Sequence, residues 1–262
     1  MVIGSKMMNK YIELKNVTVD IPIFDSNRSL RQALYNKYVG KLGGEIHKSS
    51  RKHVFVRALH NISFKIETGD RLGLIGHNGA GKSTLLNVLA GIYQPHSGSL
   101  MSHGKVTPLF NPNLGLDIDD TGYENIYTMG MYYELNKSDI DAKCDEIIAF
   151  SELGDFIHSP VRTYSSGMIL RLSFAIVTSL NPEILLLDEG IGAGDAAFAA
   201  KAASRLDSFY EKIDILVLAS HSDSLIKQLC NKAILLDHGR ILKMGAVDEV
   251  LDYYHERTAM LA

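Results

Sequence analysis

Cysteine is scarce in this sequence: only Cys144 and Cys230 occur among 262 residues. Their separation fits neither a metal knuckle nor a redox pair, which excludes a disulfide framework and suits a reducing compartment where both are ordinary buried thiols. Long apolar runs are missing too. Segments such as Ile184 to Leu187 and Ile215 to Ala219 are strand-sized, far short of the roughly 18 to 20 residues that cross a bilayer as a helix. Any membrane role must therefore run through a partner. Met1 to Lys10 holds no apolar stretch followed by small residues, so no secretion signal is expected, and the cytoplasm is the default. Net charge is low, −3 at neutral pH, which argues against nucleic acid as a partner. That charge is unevenly placed. Between Arg28 and Lys52, seven cations (Arg28, Arg31, Lys37, Lys41, Lys48, Arg51, Lys52) face a single acid, Glu45, a window of +6. The asymmetry points to one face suited to an anionic partner.

The stretch Gly76-His77-Asn78-Gly79-Ala80-Gly81-Lys82-Ser83-Thr84 matches GxxxxGK[ST] in the context that motif requires. Arg71 to Ile75 reads as a short buried strand before it, and Leu85, Leu86, Val88 and Leu89 give the apolar face of a helix after it, ending near Gly91. The glycines let backbone N–H groups turn inward around an anion, and the helix start adds unpaired donors and its positive dipole end. Lys82 is expected to reach the outer phosphates of a nucleoside triphosphate, and the Ser83 hydroxyl to hold Mg²⁺. With 46% hydrophobic residues, the chain can bury one nucleotide-binding domain with a smaller inserted lobe. No second phosphate loop is present, so a tandem ATPase is excluded.

Tyr11 to Asp20 reads as a strand, and Ile62, Phe64 and Ile66 alternate as another before Gly69-Asp70. In the basic window, Ser29-Leu30-Arg31-Gln32 resembles a capping box, opening a short helix that stops near Gly40. From Asn111 to about Ser179 the periodicity is helical, notably Ile140 to Phe150 and Met168 to Thr178. Strands resume at Ile184 to Asp188 and Ile215 to Ser220, then a hairpin from Ala233 to Met244 turns at Asp237-His238-Gly239, and a short helix covers Ala246 to Tyr254. Alternating strands and helices imply a mainly parallel sheet whose carboxyl ends form the ligand edge.

Ile184-Leu185-Leu186-Leu187-Asp188-Glu189 delivers two carboxylates to that edge. Asp188 is expected to support Mg²⁺, and Glu189 to polarise an attacking water. Tyr164-Ser165-Ser166-Gly167-Met168 places small residues before an apolar helix, a second anion-binding helix start. Its position between the phosphate loop and the acidic strand resembles the signature of ATP-binding cassette ATPases, usually LSGGQ, in the YSSGM form of polysaccharide exporters. Gly192-Ala193-Gly194-Asp195 and Leu218-Ala219-Ser220-His221 resemble that family's D-loop and switch-histidine strand.

The resemblance implies an α/β fold: a P-loop NTPase with a RecA-like parallel sheet core, an antiparallel β subdomain and an inserted helical lobe. The core would be formed by 1–110 and 180–245, with 22–52 as the basic insertion, 111–179 as the signature lobe and 246–262 as the tail. It implies ATP and Mg²⁺ as cofactors and a homodimer in which Ser165, Ser166 and Gly167 of one copy touch the ATP held by the other. Asp195 and His221 would join the site, His221 near the terminal phosphate. In place of the Gln that usually opens the helical lobe stands Asn111, one methylene shorter, as a Mg²⁺ contact. Adenine would stack on His53, with Phe55 as the alternative.

The resemblance covers nearly the whole chain and is nearest to ATPases that export O-antigen, teichoic acid or galactan. It rests also on Ser29 to Gly44, Gly122-Tyr123-Glu124-Asn125-Ile126 and Asp188-Glu189-Gly190-Ile191-Gly192. It implies a peripheral subunit on the cytoplasmic face of the inner membrane, two multi-span permease subunits as partners, and a lipid-linked glycan near 28–52. The carbohydrate-binding domain of some members is not expected, since the sequence ends at Ala262. Two alternatives stand beside it: the ATPase of a drug or small-molecule exporter, and a soluble cassette ATPase acting as a mechanochemical clamp. A P-loop kinase or GTPase gives no reason for the signature helix.

Overall fold

The computed structural model describes residues 9–23, 45–48, 54–111, 113, 115–189 and 196–261. The helix expected from Ser29, most of the basic window, His53 and the segment from Gly190 to Asp195 lie outside the described residues. By internal packing the chain divides into two compact units. The first comprises Met1–Pro108, Glu183–Gly190 and Asp214–Ala262; the second comprises Leu109–Pro182 and Ile191–Ile213. The second unit thus takes in the stretch after the acidic strand, beyond the 111–179 boundaries read from periodicity.

The first unit contains an antiparallel sheet of β1 (Tyr11–Ile23), β2 (Glu45–Lys48), β3 (Val54–Glu67) and β5 (Ser97–His103), in the order β2-β3-β1-β5. On β1 the buried set is Ile12 and Leu14, then Val17 and Val19; on β3 it is Leu59, then Ile62, Phe64 and Ile66. Strict alternation would have carried one parity through each strand. The switch coincides with register shifts between Leu14 and Val19 and with left-handed backbone at Asn16 (φ 52°) and Asn61 (φ 55°). An extra residue at a bulge returns the next apolar side chain to the core. Both asparagines donate a backbone N–H across the pair, Asn16 to Ser63 Oγ at 2.7 Å and Asn61 to Thr18 Oγ1 at 3.1 Å.

A second sheet in this unit has the order β10-β9-β4-β8-β7-β6, where β4 is Arg71–Ile75, β6 Val106–Leu109, β7 Ile184–Asp188, β8 Ile215–Ala219, β9 Lys232–Asp237 and β10 Arg240–Ala246. β4 lies parallel between β8 and β9, and β7 is parallel to β8. Leu72, Leu74, Ile184 to Leu187 and Ile215 to Ala219 are all buried, as expected for strands covered on both faces. β9 and β10 form an antiparallel hairpin turned at His238 (φ 47°) and Gly239 (φ 73°), the pair of left-handed residues that matches strand twist in a tight turn. The helices here are α1 (Lys82–Leu89), α6 (Asp223–Leu229) and α7 (Val247–Leu261); α7 runs further than the tail helix expected over 246–254. Parallel pairing brings the carboxyl ends of β4, β7 and β8 to one edge, which places Gly76, Asp188 and Ser220 together.

The second unit holds α2 (Gly122–Tyr132), α3 (Lys137–Ser151), α4 (Ser166–Thr178) and α5 (Ala196–Glu211). Each of the first three starts at a side-chain cap: Thr121 in a full capping box with Glu124, Asn136 on Asp139 N, and Ser165 on Met168 N. Phe174, Phe198 and Ala202 are buried together with Phe150 against them; the Phe174 and Phe198 rings meet edge to face at 5.6 Å, a favoured aromatic geometry. Asn125 is fully buried. Its amide joins α2 to the preceding loop, accepting from Asp117 N at 2.7 Å and donating to the Asp117 and Thr121 carbonyls at 2.8 and 2.9 Å.

Candidate functional site

β4 ends in a loop that only glycine permits at three points: Gly76 (φ 147°), Gly79 (φ 84°) and Gly81 (φ 111°). A Cβ at Gly76 would collide with the Leu236 carbonyl, and one at Gly81 would sit 3.0 Å from the Ala58 carbonyl. Ala80 N donates to His77 O at 3.1 Å, and Gly239 N donates to Ala80 O at 2.9 Å, so the loop is fastened to the β9–β10 turn. Helix α1 begins at Lys82 with no capping side chain and no acid in its first turn. Its leading N–H groups therefore suit an external anion, and the side-chain-free cradle before them suits phosphate oxygens.

Lys82 is buried at 8% exposure. Its Nζ donates to the Gly76 carbonyl at 2.6 Å and the His77 carbonyl at 3.2 Å, and lies 3.5 Å from His221 Nε2. Burial pulls its pKa below the usual 10.5, while the charges of Asp188 and Glu189 push the other way. An ammonium desolvated against neutral carbonyls gains from exchanging them for charged phosphate oxygens. Ser83 is exposed one residue further along α1, and Asp188 is half-buried at the end of β7. A hydroxyl and a carboxylate are the hard oxygen donors that Mg²⁺ takes beside phosphates; an ion held there would neutralise charge developing on the transferred group.

Glu189 follows with left-handed backbone, φ 69°, a conformation costly for a non-glycine residue and common at functional positions. Its N–H donates to the Ala219 carbonyl at 2.8 Å. Its carboxylate Oε2 accepts from Ser220 Oγ at 2.9 Å, and the same Oγ accepts from Ser222 N at 3.1 Å. Ser220, only 4% exposed, thus holds the carboxylate and the turn that presents His221. Sequence reasoning assigned Ser220 no role; its place directly before His221 was the available signal. Within the first unit the structure therefore brings together Gly76 to Thr84, Asp188, Glu189, Ser220 and His221.

The signature residues belong to the second unit. Ser165 caps α4 by accepting from Met168 N at 3.3 Å. Ser166 is exposed, and a Cβ at Gly167 would meet nothing nearer than Ser165 Oγ at 3.9 Å, so the absence of a side chain there answers to no internal packing need. Asn111 is exposed after β6, its Oδ1 accepting from Asn113 N at 2.9 Å. Phe55 is half-buried on β3, paired with Pro22 of β1. His53 and Asp195 lie outside the described residues.

Comparison with known proteins identifies the family. The family model described as ABC transporter matches residues 59–192. The chain is 49% identical to the O-antigen export system ATP-binding protein RfbE of Yersinia enterocolitica, over 87% of this chain and 94% of that protein. It is 39% identical to the teichoic acids export ATP-binding protein TagH of Bacillus anthracis, over 85% of this chain and 40% of that protein. A solved dimeric ATP-binding cassette in a post-hydrolysis state with ADP and Pi shares the fold, with a TM-score of 0.61 at 19% identity over 90% of this chain and 98% of that one. On the family match and these identities, this chain belongs to the ABC transporter family and is an ATPase subunit of it.

Proposed function

We propose that this chain drives export of a lipid-linked polysaccharide of the O-antigen type across the cytoplasmic membrane, working as a homodimer on a separate multi-span permease. The observation that carries the reading is the 49% identity to an O-antigen export ATP-binding protein across 94% of that protein's length. Among the described residues no helix is long and apolar enough to cross a membrane, which supports a peripheral subunit on the cytoplasmic face.

In this reading Lys82 and Ser83 hold MgATP with Asp188, Glu189 acts as general base on water, and His221 contacts the terminal phosphate. Ser165, Ser166 and Gly167 of a second copy complete each site, with Asp195 and Asn111 contributing, and His53 or Phe55 packs on adenine. Catalysis rests on positioning and charge neutralisation. The +6 window from Arg28 to Lys52 meets anionic headgroups or the carrier pyrophosphate, each cation contributing about 1 kcal/mol near such a surface.

The test is co-purification from native membranes followed by ATPase assay. A multi-span protein that co-purifies, with turnover stimulated by lipid-linked glycan, supports the reading; a wholly ribosome-associated chain overturns it. Glu189→Gln should still bind MgATP and lose at least about 100-fold in turnover, the contribution expected of a general base; near-normal hydrolysis by it would refute the assigned role. Exchanging Arg28, Arg31 and Lys37 for Glu should lower export in cells while basal hydrolysis persists, and unchanged export would sink the part given to the basic window.

A further inference from the structure

A carboxylate beside an anion cradle opposes the charge the cradle is built to hold, and Asp237 is such a carboxylate. It ends β9 one residue after Leu236, whose carbonyl closes on Gly76, and its side chain is only 17% accessible. Both of its oxygens are engaged. His77 Nε2 donates to Oδ1 and Arg257 Nη2 of α7 to Oδ2, each at 2.9 Å, with His238 Nε2 further off at 3.5 Å from Oδ1. His77 Nδ1 lies 2.8 Å from the Asn78 carbonyl, which only accepts, so the ring donates from both nitrogens as an imidazolium. One acid thus joins a cation of the phosphate loop to a cation of α7.

The loop has use for such a hold. Gly76, Gly79 and Gly81 let the backbone wrap a phosphate, and the same freedom must be removed for the cradle to stay formed. His77 is well placed for the anchor, because its carbonyl accepts from Ala80 N at 3.1 Å and from Lys82 Nζ at 3.2 Å. Fixing its side chain therefore fixes a carbonyl that shapes the loop and seats the lysine. We propose that Asp237 is a positioning residue for nucleotide binding: it holds the phosphate loop through His77, and Arg257 steadies it in turn from α7. The inference rests on the reading that this loop holds MgATP. Helix α7 has other ties of its own, since Val250 and Leu251 are buried, His255 Nε2 meets Asp223 Oδ2 at 2.7 Å, and Lys227 Nζ meets Asp248 Oδ1 at 2.8 Å. Removing Arg257 should therefore leave α7 docked and act on Asp237.

Two accounts of Asp237 predict opposite signs. An acid that merely stands near the phosphates would repel them, and neutralising it would tighten nucleotide binding. A positioning acid does the reverse. Asp237→Asn offers one amide oxygen to two donors, so its NH₂ must confront either the His77 ring or the Arg257 guanidinium, and the loop loses its hold.

The experiment titrates the full chain and its variants with a fluorescent ATP analogue in the presence of Mg²⁺, and reads kcat and KM from phosphate release. Asp237→Asn should raise Kd and KM roughly three- to tenfold while kcat stays within about twofold of the parent. In a His77→Ala background the same exchange should weaken binding no further, because the amide oxygen then serves Arg257 alone. Arg257→Ala should raise Kd roughly two- to fivefold, and Arg257→Lys should recover most of that, since an ammonium supplies an equivalent N–H. The Ala effect should also vanish without His77; a loss that persists there is a bare charge effect on the phosphates and overturns the relay. Tighter or unchanged binding by Asp237→Asn overturns the positioning role, and thermal melts show whether that variant is folded; if it is not, the Arg257 variants decide. A parent chain that fails to bind the analogue would refute the MgATP reading instead, and neither result touches the export reading.

Discussion

Replacing Ser220 by Ala removes one oxygen and asks how Glu189 is held. In the parent, Ser220 Oγ donates to Glu189 Oε2 at 2.9 Å and accepts from Ser222 N at 3.1 Å. A hydrogen bond to a charged group contributes about 1.5 to 3 kcal/mol, and the exposure of Glu189 places this one at the lower end. Only what the bond adds in the transition state over the ground state, the fixed aim of the carboxylate, bears on kcat; losing about 1.4 kcal/mol of that positioning lowers kcat roughly tenfold. The bond runs to Glu189 and to Ser222 N rather than to the loop backbone or Lys82, so KM for MgATP should change less than kcat. Ser220→Thr restores the hydroxyl and should restore most of kcat, an outcome that a purely structural defect would not produce. Steady-state phosphate release, with thermal melts of all three proteins, reads the result. Parent-like turnover in Ser220→Ala, or equal loss in the Thr variant, would show that Glu189 is positioned by something else.

Three further outcomes follow from the geometry. Gly76→Ala should abolish nucleotide binding, measured by fluorescent ATP analogue, because its Cβ would collide with the Leu236 carbonyl and its φ of 147° excludes a side chain. Asn125→Leu should destabilise the second unit by about 3 kcal/mol in urea titrations, since it strands the backbone partners of a fully buried amide; a loss below about 0.5 kcal/mol would contradict this. The Glu183 carboxyl is held below its usual 4.5, first by the Lys105 N–H and then by Lys10. A depressed folded-state pKa means stability fully present above about pH 4.5 and lost as pH falls through the folded value, so the stability gap between parent and Glu183→Gln should close only at acid pH; a gap independent of pH down to full protonation would refute it.

Elements governed by neighbouring residues were legible in the sequence. The strand before Gly76, the loop glycines, the Ser165 cap and the acidic end of β7 each depend on interactions within a few positions, where periodicity, capping and φ preferences act directly. The bulges at Asn16 and Asn61 were not legible in the same way, because the side of the sheet that must be buried is defined by what packs on it, not by alternation along one strand. Nor was the grouping of α5 with the helical unit. Its apolar positions are plain in the sequence, but Phe198 finds Phe174 and Phe150 only once chain segments distant in sequence meet.

By itself the sequence determined the ATP-binding cassette family and the glycine loop between strand and helix, because those features are written in contiguous motifs. Only the tertiary structure decided how those motifs are held. It set Ser220 on Glu189 across 31 residues, and His77 on Asp237 across 160. Contacts of that span arise from strand order in a parallel sheet, where adjacent carboxyl ends come from distant parts of the chain.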